Sequence, residues 1–508
     1  MIKKIVIVGG GTAGWMAASF ANFLTNPNIE ITLIESKEIP IVGVGESTTG
    51  AVTDVFNDHY NLGDVSDFLK KTGATYKYGI KHTNWVTNDD SFLSPIGCSF
   101  EQTKKYPTLD YDHIRILHIA ENKKFDSLLQ NRLMDENKLY YIFGEKNNPY
   151  KEIIGEDGYR LINNNDIGLH IDAYLTAQYL KEKLLQSKRL NRIEDTITSI
   201  NKDEKGFVKS LKLKSGQEVF ADFFLDVSGW SKTIMKEMGV EFVSFKDNLI
   251  TNRAGLFPKL RTNEPIKNHT VVTGRRHGWT FEVPLQTRIG RGYVYNSDIS
   301  SDEDVMKDIG VEFKKIISFE NGRLNKMWVK NVLSIGLCSH FVEPLEATGL
   351  HTTSRQLEYF FRYFFTSNLD CNNNYLIDDY NNQINSFIDD LRDFILLHYQ
   401  SKRKEDFWLE ASSKDKWTEE FNRKMQIWKS RMPRECDYHH KGRKHDLGNA
   451  LWIQVGHGYG IFNSEVARQE LKYYNLESLS KEHLKYLNDF SDYCVKRAMT
   501  TNEYYKLL

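Results

Sequence analysis

Gly9-Gly10-Gly11-Thr12-Ala13-Gly14 follows the apolar run Ile5-Val6-Ile7-Val8 and leads into Trp15-Met16-Ala17-Ala18, residues that favour helix. Glycines at this spacing suit one task, holding a pyrophosphate. Gly9 permits a tight turn, Gly11 lets the backbone approach the anion, and Gly14 allows the helix to pack closely on its strand. The helix start, with Thr12 and Ala13, supplies N–H donors and a partial positive charge. A second run, Ile31-Thr32-Leu33-Ile34, ends at Glu35, the spacing expected of an acceptor for a ribose hydroxyl. The lesser alternative for Glu35 is a solvated carboxylate at a strand end.

These groups need a strand–turn–helix unit with further strands beside it, and the rest of the chain supplies them. Residues 1–60 read as strand, glycine turn, helix, strand and a second glycine-rich loop, Ile41-Val42-Gly43-Val44-Gly45-Glu46-Ser47-Thr48-Thr49. Such a loop suits a flavin, where backbone passes close to the isoalloxazine. Ala221-Asp222-Phe223-Phe224-Leu225-Asp226-Val227-Ser228-Gly229-Trp230 and Val332-Leu333-Ser334-Ile335-Gly336-Leu337 are further apolar strands that end at glycine. Three strand-to-glycine junctions can gather around one extended cofactor. Residues 190–230 read as short strands, 240–300 as β-rich, and 350–430 as mostly helical; 368–374 is an asparagine-rich surface loop, and Ser464 to Tyr473 has helical pattern. The expected class is α/β: an FAD-binding domain over 1–360, interleaved with β-rich substrate-facing segments, then a mostly helical region over 361–508 that completes the substrate site. With one dinucleotide loop and no second site for NAD(P)H, a separate flavin reductase is the expected source of reduced FAD.

The composition excludes several other classes. In 508 residues, 67 Lys and Arg balance 68 Asp and Glu, which gives no electrostatic reason for a nucleic acid or anionic membrane partner. No stretch reaches the roughly 18 apolar residues of a membrane span. Cys98, Cys338, Cys371, Cys436 and Cys494 form no CxxC pair, and this odd, scattered set suits reduced thiols and a cytoplasmic home. Cys436 with His439, His440 and His445 has metal-ligating residue types. Lys441, Arg443 and Lys444 among them favour a solvated basic loop, so no metal is expected.

The chain resembles the flavin-dependent halogenases, the group that includes the tryptophan halogenases, within the FAD-dependent monooxygenase fold. The resemblance runs over about residues 1–460. Gly43-Val44-Gly45-Glu46-Ser47-Thr48 is similar to the family's flavin strap. Gly278-Trp279-Thr280-Phe281-Glu282-Val283-Pro284 is similar to its Trp-x-Trp-x-Ile-Pro signature, with Phe281 and Val283 replacing Trp and Ile. Phe341-Val342-Glu343-Pro344-Leu345-Glu346-Ala347-Thr348-Gly349-Leu350 resembles the segment that carries a functional Glu and a halide site, and Asp393 to Tyr399 also looks familial. Tyr78-Gly79-Ile80-Lys81-His82-Thr83-Asn84-Trp85 resembles the segment of the catalytic lysine.

The resemblance implies a set of roles. Reduced FAD, O2 and a halide ion yield hypohalous acid, which passes by way of Lys81 to a small electron-rich aromatic substrate. Glu346 assists proton loss or polarises the oxidant. Thr348 and Gly349 hold the halide, while Trp279 and Phe281 form a barrier between flavin and substrate. Gly45, Glu46, Leu337 and Leu350 join the glycine loop and Glu35 in binding FAD. Trp452 to Tyr459 is readable either as the substrate end or as plain structure. The departures at Phe281 and Ala347 leave the substrate unspecified. The rival readings are an FAD-dependent aromatic hydroxylase and a non-catalytic flavin-binding redox sensor; Lys81 and Glu346 together argue against the sensor.

Overall fold

The structure is a computed structural model of the 508-residue chain. It describes residues 1–38, 45–53, 65–96, 112–126, 128–142, 147–151, 167–438 and 447–508. The chain forms two compact units, each assembled from three separate stretches. The first takes Met1–Ala74, Ile171–Lys246 and Glu320–Asp389; the second takes Thr75–His170, Asp247–Phe319 and Asp390–Leu508. The last passage, at 389/390, falls inside the helix Asn374–His398, whereas the sequence reading drew one boundary at 360/361. Units woven from alternating stretches have no linker at their borders, so composition does not mark them.

In the first unit, Lys4–Val8 is flanked in parallel by Glu30–Glu35 and Phe223–Asp226. Leu190–Glu194 and Val332–Ser334 extend the sheet in parallel on either side, and Trp328–Val329 closes one edge antiparallel. Helices cover such sheets on both faces, which is why the central strands read as near-continuous apolar runs. Ile5, Val6, Ile7 and Val8 are all buried. The glycine loop, Glu35, Asp226 and Ser334 therefore lie at the carboxyl ends of neighbouring strands, the edge at which open α/β sheets bind ligands.

The second unit is built on a mainly antiparallel sheet. Its spatial order is Lys315–Ser318, Arg253–Leu256, Arg288–Tyr295, Gly278–Pro284, His269–Arg275, Gly79–Thr83, Ser91–Pro95. Only the pairing of His269–Arg275 with Gly79–Thr83 along this path is parallel. The helical C-terminal region expected from sequence is present, with Glu419–Ile427, Asn449–Gly458, Ser464–Tyr473 and Glu477–Arg497. Part of it packs with His113–Ala120 through Ile116, Leu117, Met432, Ile453 and Leu471. Among the described residues, no helix is long and apolar enough to cross a membrane.

Candidate functional site

The glycine loop has the form its sequence requires. Gly9 adopts φ +126°, and a Cβ there would lie 2.3 Å from the Val227 carbonyl oxygen. A Cβ on Gly14 would lie 1.9 Å from the Gly9 oxygen, so both positions admit glycine alone. Gly11 differs. A Cβ there would meet nothing within 4 Å, so the loop faces open space at the position assigned to the pyrophosphate. The helix Thr12–Leu24 that follows has no side-chain cap and no acidic residue in its first turn, which leaves its N–H groups for an anion. Thr12 itself is buried, its hydroxyl donating to the Ala173 carbonyl at 3.0 Å.

The other two junctions meet this loop. Val227 packs against Gly9, and a Cβ on Gly336 would lie 3.5 Å from the Ala13 Cβ. The Glu35 side chain lies against Gly10, where a Cβ would be 2.1 Å from Oε2. Its Oε1 is held by Lys181 at 2.8 Å and by Arg192 at 2.5 Å. Glu35 is thus an ion-paired carboxylate with one oxygen on the loop side, which is neither of its two sequence readings alone. Leu337 is partly exposed and Leu350 is buried. Of the strap, Gly43 and Val44 lie outside the described residues. Gly45 is buried at φ +112°, and burial pushes the Glu46 carboxyl up to about 7, with Asp172 adding to the shift.

In the same unit, the turn Pro344–Glu346 passes through Ala347, at φ +58°, into the helix Thr348–Tyr359. A non-glycine residue in the left-handed region is strained, and such strain is found where a turn has to present particular groups. Thr348 is buried, and its Oγ1 has no hydrogen-bond partner among the described residues. A Cβ on Gly349 would meet nothing within 4 Å. The helix start carries no side-chain cap and no acid in its first turn. An orphaned hydroxyl, an open glycine face and uncapped N–H groups form a site suited to a small anion. Glu346, half-buried, immediately precedes it.

The second unit sorts its candidates by sheet face. His82 pairs with Val272, and Val272 with Phe281, so these three point the same way. Trp279 shares that face, two residues from Phe281. Trp279 is fully buried, and Phe281 lies over Gly292, where a Cβ would collide with its ring at 2.5 Å. Lys81 pairs with Val271, and Val271 with Glu282, which puts Lys81 on the opposite face. There its charge adds to the burial and to Lys267 in pushing the His269 ring down to about 3. Lys81 and the barrier residues therefore do not share a face.

Lys77, which the sequence reading passed over, is a buried amine. It is 1% exposed and ends the short strand Thr75–Lys77, paired antiparallel with Gly168–Ile171. Burial, reinforced by His398 and Lys77, holds the His82 ring well below the ordinary histidine value. Burial and Lys77, with His269 adding, do the same to His170. A neutral His170 fits its contacts: Nε2 accepts from the Thr270 hydroxyl and Nδ1–H donates to Thr75 Oγ1, each at 3.0 Å. Thr75 in turn donates to the Pro284 carbonyl at 2.6 Å. The overlooked signal was local, a lysine between Tyr76 and Tyr78, four residues before the one chosen.

Trp452, in the helix Asn449–Gly458, is fully buried against Phe394, Trp428 and Tyr438 and so has a packing role. Cys436 is exposed, while Cys98, His439, His440, Lys441, Arg443, Lys444 and His445 lie outside the described residues.

Comparison with known proteins gives one answer. The tryptophan halogenase family model matches residues 4–472. The tryptophan 7-halogenase KtzQ of Kutzneria sp. (strain 744) is 26% identical over 492 residues, covering 91% of this chain and 86% of its own. The fold matches a tryptophan halogenase from Shewanella frigidimarina NCIMB 400 with a TM-score of 0.87 at 24% identity, covering 99% of this chain and 96% of that one. It also matches Tar14, a tryptophan C-6 flavin-dependent chlorinase from taromycin biosynthesis, with a TM-score of 0.85 at 25% identity and 99% of each chain covered.

Proposed function

The chain belongs to the tryptophan halogenase family, and from that premise we propose that it is a flavin-dependent halogenase acting on an electron-rich aromatic ring. When bound, reduced FAD would supply with O2 the two-electron oxidation that turns halide into hypohalous acid. The residues that would hold it are Gly9, Gly11, Thr12, Ala13, Gly14, Gly45 and Glu46, with the free oxygen of Glu35 toward the ribose and Leu337 and Leu350 on its apolar parts. Reduced flavin comes from a separate reductase.

Thr348 and the N–H groups around Gly349 hold the halide. The orphaned Thr348 hydroxyl beside an open glycine is the single observation that most supports this reading, because a buried donor without an acceptor is costly unless a ligand completes it. Glu346 accepts the proton that the ring loses when the carbon–halogen bond forms. We assign delivery of the oxidant to Lys77 in place of Lys81. A buried ammonium can hydrogen-bond hypohalous acid and protonate the hydroxide that leaves as the oxygen–halogen bond breaks, giving water. Trp279 and Phe281 shield the oxidant from unproductive loss.

A halide-by-substrate screen with an added flavin reductase, read by mass spectrometry, tests this function. Halogenated aromatic product that appears only with halide, O2 and reduced flavin is the expected result. Hydroxylated product formed without halide, with nicotinamide-driven flavin reduction by the chain itself, would make it a hydroxylase instead. Flavin binding with no product from any ring would favour a redox sensor.

A further inference from the structure

Trp279 is a large ring with one polar atom, fully buried, and that atom decides how the ring is oriented. Its indole Nε1–H donates to the Tyr399 hydroxyl at 3.0 Å, and Tyr399 is itself 1% exposed. Trp85 lies beside both rings, at 6.1 Å from Trp279 and 6.0 Å from Tyr399, and Trp408 meets Trp85 edge-on at 5.1 Å.

Tyr399 begins a segment that is tied to the sheet almost residue by residue. The Ser401 hydroxyl donates to the Trp85 carbonyl at 2.5 Å, the Lys402 N–H to the Val86 carbonyl at 3.0 Å, and Arg403 Nη1 to the Asn84 carbonyl at 2.7 Å. The Trp408 indole donates to the Arg275 carbonyl at 2.7 Å. All four of these bonds end on backbone, and they fix where the segment runs. The Tyr399 bond ends on a side chain, on the face that carries His82 and Phe281.

We propose that Tyr399 is a positioning residue for halogenation, its hydroxyl holding the Trp279 indole in the one orientation in which that ring shields the oxidant. The inference rests on the halogenase reading above. Without the hydroxyl, the buried N–H loses its acceptor, and the ring must turn toward another or admit water. Either change opens a path by which oxidant is lost before it meets the aromatic substrate, so flavin is consumed without product.

The test is the yield of halogenated product per reduced flavin consumed, in single turnover, for wild type, Tyr399→Phe, Trp279→Phe and the double variant. Phe at 399 keeps the ring packing and removes only the acceptor. The expected outcome is a fall of about three- to tenfold in that yield for Tyr399→Phe, the range of one ordinary hydrogen bond, with flavin affinity unchanged. The double variant should lose no more than Trp279→Phe alone, because both remove the same bond. A lower melting temperature with unchanged yield would make Tyr399 merely structural and overturn the proposal, as would additive losses in the double variant. If Tyr399→Phe does not fold, Trp279→Phe with unchanged yield overturns it as well. Wild-type protein that makes no halogenated product refutes the halogenase reading and this inference with it; product from wild type with unaltered yield from the variants refutes this inference alone.

Discussion

Lys81 and Phe281 project from opposite faces of one sheet, since Lys81 pairs with Val271 while Phe281 pairs with the next residue, Val272. Side chains alternate along a strand, so this one-residue offset separates Lys81 from Phe281, Trp279 and His82. Lys77 belongs to a different ladder, paired with Gly168. Its charge acts on His82 and His170, and the hydroxyl that His170 Nε2 meets belongs to Thr270, on the His82 side of the sheet.

The two lysines should therefore behave differently on replacement. Lys77→Met, which keeps most of the buried volume, is expected to lower single-turnover halogenation by at least about a hundredfold while FAD absorbance is retained. Lys81→Met should keep most of the activity. The reverse pattern would return the role to Lys81.

Gly11→Val should abolish flavin binding and leave the apoprotein folded. The new side chain enters space that no protein atom fills, so only the cofactor is displaced. Flavin absorbance per mole of purified protein, with a melting curve, checks this; full yellow occupancy would remove the loop from the phosphate site. Gly14→Ala, whose Cβ would lie 1.9 Å from the Gly9 oxygen, should instead damage folding itself.

Glu346→Gln keeps size and most hydrogen bonding but cannot take a proton. A rate loss of about a hundredfold or more is expected, with little change in melting temperature. A carboxylate that served only as a charge near a helix start would contribute about 0.3–1 kcal/mol, and its loss would leave turnover nearly intact.

Glu46 predicts a pH dependence of the flavin-free protein. Its carboxyl stands at about 7 in the fold against an ordinary value of 4.5, so the folded state binds more protons than the unfolded state between those values. Stability from this group is greatest below about 4.5 and is lost as pH rises toward 7. Glu46→Gln should flatten the fall in denaturation free energy over that range. Identical slopes in variant and wild type would show that the carboxyl is not held neutral.

Lys424 tests the helical part of the second unit. Its ammonium is fully buried, 3.1 Å from Asp390 and 3.7 Å from Asp393, which are also buried. Lys424→Met should cost about 3–5 kcal/mol, because the buried Asp390 loses this cation, while Asp393 keeps its ion pair with Arg392 at 2.9 Å. Chemical denaturation measures the loss, and adding Asp390→Asn should recover part of it.

What the sequence determined by itself was whatever depends on local backbone demands. Gly9 and Gly14 are legible because a tight turn and a close helix–strand contact exclude any side chain at those positions. The strands around them are legible because buried parallel strands need unbroken apolar runs, and the turn before Thr348 stands out as Pro-Leu-Glu-Ala-Thr-Gly. That Lys81 lies on the sheet face opposite the barrier residues came from the tertiary structure alone. Lys77 and Lys81 are four residues apart, a spacing that would put both on the same side of one continuous strand. The chain breaks at Tyr78 instead: Thr75–Lys77 pairs with Gly168–Ile171, and Gly79–Thr83 pairs with His269–Arg275. The two lysines thus belong to different ladders with independent facing, and strand partners drawn from distant stretches leave no mark in the residues beside them. The bond from Trp279 to Tyr399 was hidden for the same reason, since it joins residues 120 positions apart.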